Sequence, residues 1–481
     1  MSVVKNTMYY SLALVYQKIL GFIYFALIAR GLGVENTGQY IFALSLTSVF
    51  AVLADMGFAP VLIREIAKDK SRVQALFAQV FSIKLLISFI TYIFVVLFVN
   101  ILDYPSLTKI LVYIAGIVMI FDSFSLVNWA VFRGYKNLKY ESIGVIWFQT
   151  ITVGLGLLFI YLGLGLIPLL LATLAGSLFF LIFSFLLLFK KLNIKLQVIF
   201  KKSSIKWFVI SALPFALAGA FARIYTQIDT IMLSKIGCFG VEAICSDNVG
   251  WYGVASKITL ALQFIPLALS AALFPVFSEQ HTHSPEKLKT TYEQAWRYLA
   301  ILVVPISAGI ITLAPELIGI VWGSDFLPAV LPLQILMGSL VFLFLTFPNG
   351  ALLNASGKQL VNTSFMGVAV VINILLNVYL IINYQMTGAA IASISSTFIL
   401  FILGFVKTYF MIRFKVWRML FNFFRIVIVG LMMILFISFI KSGLPLMVVV
   451  VMAMVFYFIV LLILGGFSKE DVVILKRFLP S

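Results

Sequence analysis

Residues 8–29 read MYYSLALVYQKILGFIYFALIA, twenty-two residues with a single charge, Lys18. A helix needs about 20 mainly apolar residues to cross the hydrocarbon core of a bilayer, so this stretch reads as a membrane span. The pattern recurs down the chain. Of 481 residues, 63% are hydrophobic and only 11% charged, and the mean hydropathy is +1.14. Soluble domains are roughly 45–50% apolar and about 25% charged. A water-soluble fold, a disordered chain and a disulfide-rich secreted module are therefore excluded. Strands of about ten alternating residues, the mark of a membrane β-barrel, are not seen. What remains is an all-α polytopic membrane protein.

At about 34 residues per span and loop the length accommodates about fourteen spans. The apolar runs place them near 8–29, 39–62, 78–99, 110–132, 143–162, 166–189, 207–234, 249–276, 298–315, 327–354, 362–383, 388–406, 420–440 and 444–466. The first span is full length and no small-residue cleavage site follows it, so no cleaved signal peptide is predicted.

Basic residues set the expected orientation. With the N-terminus inside, the cytoplasmic segments hold twenty-five of the thirty-four Lys and Arg residues, among them Arg64, Lys68, Lys70, Arg72, Lys190 and Lys191. The external loops hold four, Arg30, Lys109, Lys235 and Lys441. This is the positive-inside pattern, and it predicts a cell-membrane protein with both termini cytoplasmic. The net charge of +17 follows from topology and implies no nucleic-acid partner. The longest external loop, near 235–248, holds both cysteines, Cys238 and Cys245, which can either close a small disulfide loop or stay free. His281 and His283 fall in the longest cytoplasmic hinge, near 277–292, with no other ligand-type cluster beside them.

The chain echoes itself. Gly38-Gln39-Tyr40 returns as Gly250-Trp251-Tyr252 at an offset of 212; Gly134, Gly144-Val145 and Gly165 return as Gly357, Gly367-Val368 and Gly388 at an offset of 223. Spans 1–6 and 7–12 read as parallel six-helix halves with spans 13 and 14 appended. The expected lobes are 1–200 and 201–415, followed by 416–481. Transporters with repeated halves hold substrate where the halves meet.

A charge at mid-bilayer costs about 2.5–3.5 kcal/mol on insertion scales, so each one inside a span needs a cavity or a partner. Lys84 and Arg425 are read as snorkelling from helix ends. Lys18, Asp55, Asp122, Arg223, Asp229 and Lys257 remain. On span 7, at 100° per residue, Arg223, Thr226, Gln227 and Thr230 share one stripe, while Asp229 points about 120° away from Arg223. That helix can line a cavity with its cation and turn its acid into its own bundle. Asp55 is read as tuning one of the cations, and Asp122, on one face with Ser125, as doing the same. Lys18, Asp55, Arg223, Gln227 and Lys257 are the candidate substrate-binding residues; a wet basic cavity suits an anion. Asn373 and Asn377, one helical turn apart, with Ser393, Ser395 and Ser396 and the carboxylate of Asp229, supply oxygens of the kind hard cations accept. The competing reading is interhelical hydrogen bonding. Prolines 168, 214, 266, 275, 305, 332 and 348 are candidate kinks.

Several of these residues carry a family resemblance. Ala29-Arg30-Gly31-Leu32-Gly33 through Gly38-Gln39-Tyr40, then Asp55-Met56-Gly57, Arg64-Glu65, Phe132-Arg133-Gly134, and Asp229 followed by Gly250-Trp251-Tyr252, resemble polysaccharide repeat-unit flippases. These belong to the multidrug/oligosaccharidyl-lipid/polysaccharide exporter superfamily. The resemblance implies a fourteen-span, two-lobed, V-shaped exporter working by alternating access on a polyprenyl-diphosphate-linked oligosaccharide, with a polysaccharide polymerase as a candidate partner. In the related lipid II flippases, cations on spans 1 and 8 face the pyrophosphate; Lys18 and Lys257 approximate those positions. Those flippases also hold sodium with an acid on span 7, an Asn-x3-Asp pair on span 11 and a hydroxyl on span 12. Asp229, Asn373, Asn377 and Ser393 resemble that set, with Asn377 in place of the second acid. Coupling to Na⁺ or H⁺ is thus the one cofactor-like requirement implied. A multidrug/cation antiporter is the rival within the superfamily, although cationic drugs want acids where this chain offers cations. A membrane glycosyl polymerase or ligase would carry catalytic groups on a large external loop, and no such loop is present. No Walker-type glycine-rich lysine loop occurs either.

Overall fold

The structure, a computed structural model, describes residues 3–200, 202–238 and 241–466. Lys201, Lys469, Lys476 and Arg477, counted above for orientation, lie outside the described residues. The elements are α1 (Val3–Asp55), α2 (Phe58–Lys68), α3 (Val73–Ile101), α4 (Ser106–Gly134), α5 (Lys139–Tyr161), α6 (Leu166–Leu192), α7 (Lys202–Leu233), α8 (Glu242–Leu262), α9 (Phe264–His283), α10 (Pro285–Val321), α11 (Val330–Ala355), α12 (Gln359–Ile412), α13 (Val416–Ile440) and α14 (Leu446–Ile463). Short 3₁₀ turns at Lys70–Arg72 and Ser324–Ala329 complete them, and no strand occurs among the described residues. Among the described residues, twelve stretches are long and apolar enough to cross a membrane. Two of these, Asn6–Asp55 and Gln359–Ile412, are each divided by one non-helical residue. Twelve plus two gives fourteen segments, each overlying one expected span.

The breaks have identifiable causes. Spans 1 and 2 are separated only at Gly33, whose φ of 76° costs glycine little and other residues more. The side chains of Asn36 and Thr37 donate to the carbonyls of Leu32 and Gly33, at 3.0 and 2.6 Å, so the break leaves these acceptors satisfied. Spans 11 and 12 divide at Gln385, with φ 50°. Of the candidate kink prolines, Pro266 follows the interruption between α8 and α9 at Gln263, where its missing N–H and its ring oppose a continuous ladder. Pro214, Pro275, Pro305 and Pro348 sit within continuous helices, and Pro168 and Pro332 in first turns. The expected hinge near 277–292 is helical except at Ser284, because α9 and α10 run on as polar helices and Pro285 opens the second of them.

Contacts divide the chain into two units, Met1–Gly253 and Val254–Ser481. The expected lobe boundary at 200–201 falls within the first of these units. In the first unit α7 packs on α1 and α2. Gly57, left-handed at φ 68°, is seated there: a Cβ on it would lie 2.8 Å from both the Ala212 oxygen and the Ala216 nitrogen. Phe208 and Ala212 of α7 join Phe58 and Leu62 of α2, Phe77 of α3 and Trp129 of α4 in one buried cluster. Lipid is as apolar as these side chains, so close packing rather than exclusion of water holds them together. In the second unit α11 is packed by α9, α10 and α12, while α13 lies against α10 and carries α14. Gly430 of α13 faces Val304 of α10, where a Cβ would meet the valine methyl at 2.5 Å.

Candidate functional site

The first unit concentrates the charges. On α7, Arg223 is exposed, and its Nη1 donates to the Ser48 hydroxyl of α1 at 3.0 Å. Thr226 is exposed and Gln227 half-buried along the same stripe. Asp229 turns inward, is buried, and accepts a hydrogen bond from the Tyr252 hydroxyl at 2.5 Å. The helix thus presents its cation and encloses its acid. Lys18 of α1 is exposed as well; two residues before it, Tyr16 meets Thr150 of α5 at 2.9 Å. Lys257, on α8, belongs to the second unit and is exposed.

The part of α8 that carries Ser246 and Gly250 runs closely against α1. A Cβ on Gly38 would lie 1.8 Å from the Ser246 oxygen and 3.0 Å from the Gly250 nitrogen. A Cβ on Gly250 would lie 2.5 Å from the Val34 oxygen. The two glycines that mark the repeat therefore touch, backbone to backbone.

One expectation is corrected. Lys84 does not snorkel: it is fully buried, and its Nζ donates to Asp55 Oδ1 at 2.9 Å and to the Ala54 oxygen at 3.3 Å. The same carboxylate oxygen accepts from Ser123 of α4 at 2.6 Å. Asp55 is thus committed to Lys84, a cation the sequence reading set aside, rather than to Lys18 or Lys257. Asp122 accepts from Ser177 of α6, and Ser125 donates to the Phe121 carbonyl instead of joining it. Beyond these, Arg133 donates to Glu141 at 2.9 Å and to the Tyr10 hydroxyl at 3.1 Å, clamping α4, α5 and α1. Only the presence of opposite charges eight residues apart hinted at that clamp.

In the second unit the span 11 and 12 polar residues meet one another. Asn377 donates to Asn373 Oδ1 at 2.9 Å, and Asn373 donates to Ser396 Oγ at 3.2 Å. Ser393 contributes its backbone carbonyl, accepting from Ser396 at 3.0 Å and Thr397 at 2.7 Å. Ser396 is therefore the hydroxyl beside the asparagines. Asn373, Asn377 and Ser396 are buried, which makes an oxygen-rich core whose amides also serve as helix-to-helix ties.

Cys238 and Cys245 are joined in a disulfide, with their Cα atoms 5.0 Å apart, tying the end of α7 to the start of α8. Beside it the Tyr104 hydroxyl meets Ser234 at 2.9 Å and Lys235 lies 4.4 Å above the Tyr104 ring. His281 and His283 are exposed at the end of α9, and no metal-ligating group of three or more His, Cys, Asp or Glu occurs among the described residues.

Comparison with known proteins bears on the family and the fold. Residues 3–281 match the family described as polysaccharide biosynthesis protein, and residues 214–379 match the MatE family. The chain is 27% identical over 151 residues to a Haloferax volcanii protein named "Probable low-salt glycan biosynthesis flippase Agl15", covering 31% of this chain and 32% of that one. The chain therefore spans about a third of that relative's length. It is 23% identical over 404 residues to the capsular polysaccharide biosynthesis protein CapF of Staphylococcus aureus, covering 82% and 96% of the two chains. Its fold is similar to that of a lipid II flippase, MurJ, solved in an inward closed conformation, with a TM-score of 0.77, 16% identity and coverage of 96% and 99%.

Proposed function

We propose, proceeding from the fact that this chain belongs to the polysaccharide biosynthesis protein family, that it is a flippase for a lipid-linked glycan. In this reading a polyprenyl-diphosphate oligosaccharide is turned from the cytoplasmic to the outer leaflet of the cell membrane by alternating access. The chain is a multi-pass membrane transporter rather than an enzyme. The observation that carries the substrate reading is a charge asymmetry among the spans. Lys18 and Arg223 are exposed, whereas Asp55 is ion-paired with the enclosed Lys84 and Asp229 is buried against the Tyr252 hydroxyl. Accessible cations offset the cost of bringing a diphosphate into a low-dielectric site, and arginine matches phosphate oxygens with a planar fork.

Arg223 and Gln227 then bind the diphosphate and its first sugar, with Lys18 adding charge. Asp55 acts through Lys84, holding the helices that carry these groups. Both termini lie in the cytoplasm, as the distribution of basic residues supports. Outward movement of the anion is favoured by an inside-negative potential, by about 2.3 kcal/mol per charge per 100 mV. Asn373, Asn377 and Ser396 are the groups through which Na⁺ or H⁺ resets the carrier, and a polysaccharide polymerase receives the product.

The match to MatE favours one alternative, a multidrug/cation antiporter. The two readings separate in proteoliposomes offered both a fluorescent polyprenyl-diphosphate oligosaccharide and a cationic dye. Translocation of the lipid without export of the dye supports the flippase. Dye export without lipid translocation overturns it.

A further inference from the structure

In the first unit α6 is followed by a non-helical segment, residues 193–200, whose path is fixed by three attachments. Asn193 ends α6 in the left-handed region at φ 52°, and the Ile194 nitrogen donates to the Leu188 carbonyl at 3.2 Å. The Ile194 side chain is buried in the cluster that holds Phe77 and Trp129. Gln74 of α3 then grips the Lys195 backbone both ways. Its amide donates to the Lys195 carbonyl at 2.8 Å, and its oxygen accepts from the Lys195 nitrogen at 2.9 Å. Further along α3, the Ser82 hydroxyl accepts from the Ile199 nitrogen at 2.7 Å.

These attachments set its depth. From Gln74 to Ser82 α3 rises about 12 Å, and four extended residues from Lys195 to Ile199 cover about 13 Å. The segment therefore runs alongside α3 and in the same direction. Gln74 precedes the apolar run at 78–99, and Ser82 lies about one turn inside it. After α6 the chain thus turns back into the leaflet before α7 begins. Irregular backbone does not occur in bare hydrocarbon, so the dip stops where headgroup and ester oxygens still reach it. Composition follows the path. Lys190, Lys191 and Lys195 are exposed where the segment starts, and Leu196, Val198, Ile199 and Phe200 where it dips. No acid occurs between Glu141 and Asp229, and none on α3. On the neighbouring α2, Glu65 is paired with Arg64 and Lys68, and the Asp69 that follows accepts from Ser71. The segment keeps a positive balance.

We propose that residues 190–200 form a re-entrant anchor that binds anionic glycerophospholipids of the leaflet on the basic side. Leu196, Val198 and Phe200 lie among the upper acyl chains, while Lys190, Lys191 and Lys195 meet the phosphates. Lysines at a membrane surface attract anionic headgroups in this way. A zwitterionic lipid brings its own cation against the three lysines, and free phosphate has no chain to cover the apolar tip. The occupant is thus lipid of the surrounding leaflet, and the anchor is independent of the transport reading above.

The test places a fluorophore on Val198→Cys in the full chain; Cys238 and Cys245 are joined to each other and do not compete for it. The labelled protein is reconstituted in mixed bilayers in which either phosphatidylglycerol or phosphatidylcholine carries brominated acyl chains, and quenching gives the ratio of the two lipids at the segment. Both brominated lipids are expected to quench, with phosphatidylglycerol favoured at least roughly fivefold, the effect of one lysine contact. Lys190→Gln with Lys191→Gln and Lys195→Gln should bring that ratio to about one. If the triple variant does not fold, Lys195→Gln alone serves and should lower the ratio. A label on Phe94→Cys, exposed on α3 beyond the lysines, should show no preference between the lipids. Quenching of the Val198 label by aqueous iodide and by neither lipid is the result for a segment that faces water and awaits a soluble partner, and it would overturn the anchor. An unchanged ratio in the lysine variants, the same preference at Phe94, or loss of the preference in inorganic phosphate but not in chloride of equal ionic strength would overturn the headgroup assignment.

Discussion

Lys84 and Asp55, twenty-nine residues apart, form an ion pair of 2.9 Å between α3 and the end of α1, with the lysine fully enclosed. Removing one partner of a buried pair leaves an uncompensated charge, at about 3–5 kcal/mol, whereas replacing both by apolar groups is often nearly neutral. Lys84→Met should therefore lower the unfolding midpoint in detergent sharply, and adding Asp55→Leu should restore most of it. If Lys84→Met alone unfolds like the wild type, the pair contributes nothing to the fold.

Gly38 and Gly250 give a second, steric prediction. An alanine at Gly38 would place its Cβ 1.8 Å from the Ser246 oxygen, so backbone has to move. Overpacking of this kind costs about 1–3 kcal/mol. Gly38→Ala and Gly250→Ala should each lower the folded yield, and Gly219→Ala, where a Cβ meets nothing within 4 Å, should not. Equal tolerance at all three positions would contradict the close approach of α1 and α8.

The disulfide reports on topology. Cys238 and Cys245 close a loop of about eight residues, for which chain entropy predicts about 2.5 kcal/mol of stabilisation. Reduction in intact cells by an impermeant reductant should expose two thiols to an impermeant maleimide. Labelling that appears only after the membrane is permeabilised would reverse the proposed orientation.

The fourteen spans were legible because crossing a bilayer demands a length of apolar sequence that little else requires. The inward turn of Asp229 was legible for a similar reason: one helix fixes its own angular order. What the sequence withheld depends on pairs. Lys84 lies eleven residues after the start of α3, and depth alone suggested a snorkelling cation, because its partner is set by how α3 meets the end of α1. Ser396 rather than Ser393 meets Asn373 because the break at Gln385 sets the rotation of one half of α12 against the other. The nine residues allowed between spans 1 and 2 shrink to Gly33 because helix continues on either side of a single left-handed glycine.

Voltage offers a prediction for mechanism. A substrate carrying net negative charge outward should move faster when a potassium diffusion potential makes the cytoplasmic side negative, at about 2.3 kcal/mol per charge per 100 mV. Transport in proteoliposomes should also respond to a gradient of Na⁺ or H⁺. Rates indifferent to the potential and to both ions would remove the coupling part of the proposal.

Arg223 is where the account can be tested most directly. Its guanidinium, exposed on α7 and steadied by Ser48, is assigned to the diphosphate. A hydrogen bond to a charged group is worth about 1.5–3 kcal/mol, or roughly 10- to 100-fold in rate. The measurement is translocation of a fluorescent polyprenyl-diphosphate oligosaccharide by wild type and Arg223→Gln in the same proteoliposomes, with unfolding midpoints recorded for both. The account predicts a loss of at least tenfold at an unchanged midpoint. A folded Arg223→Gln protein that translocates at the wild-type rate would contradict it.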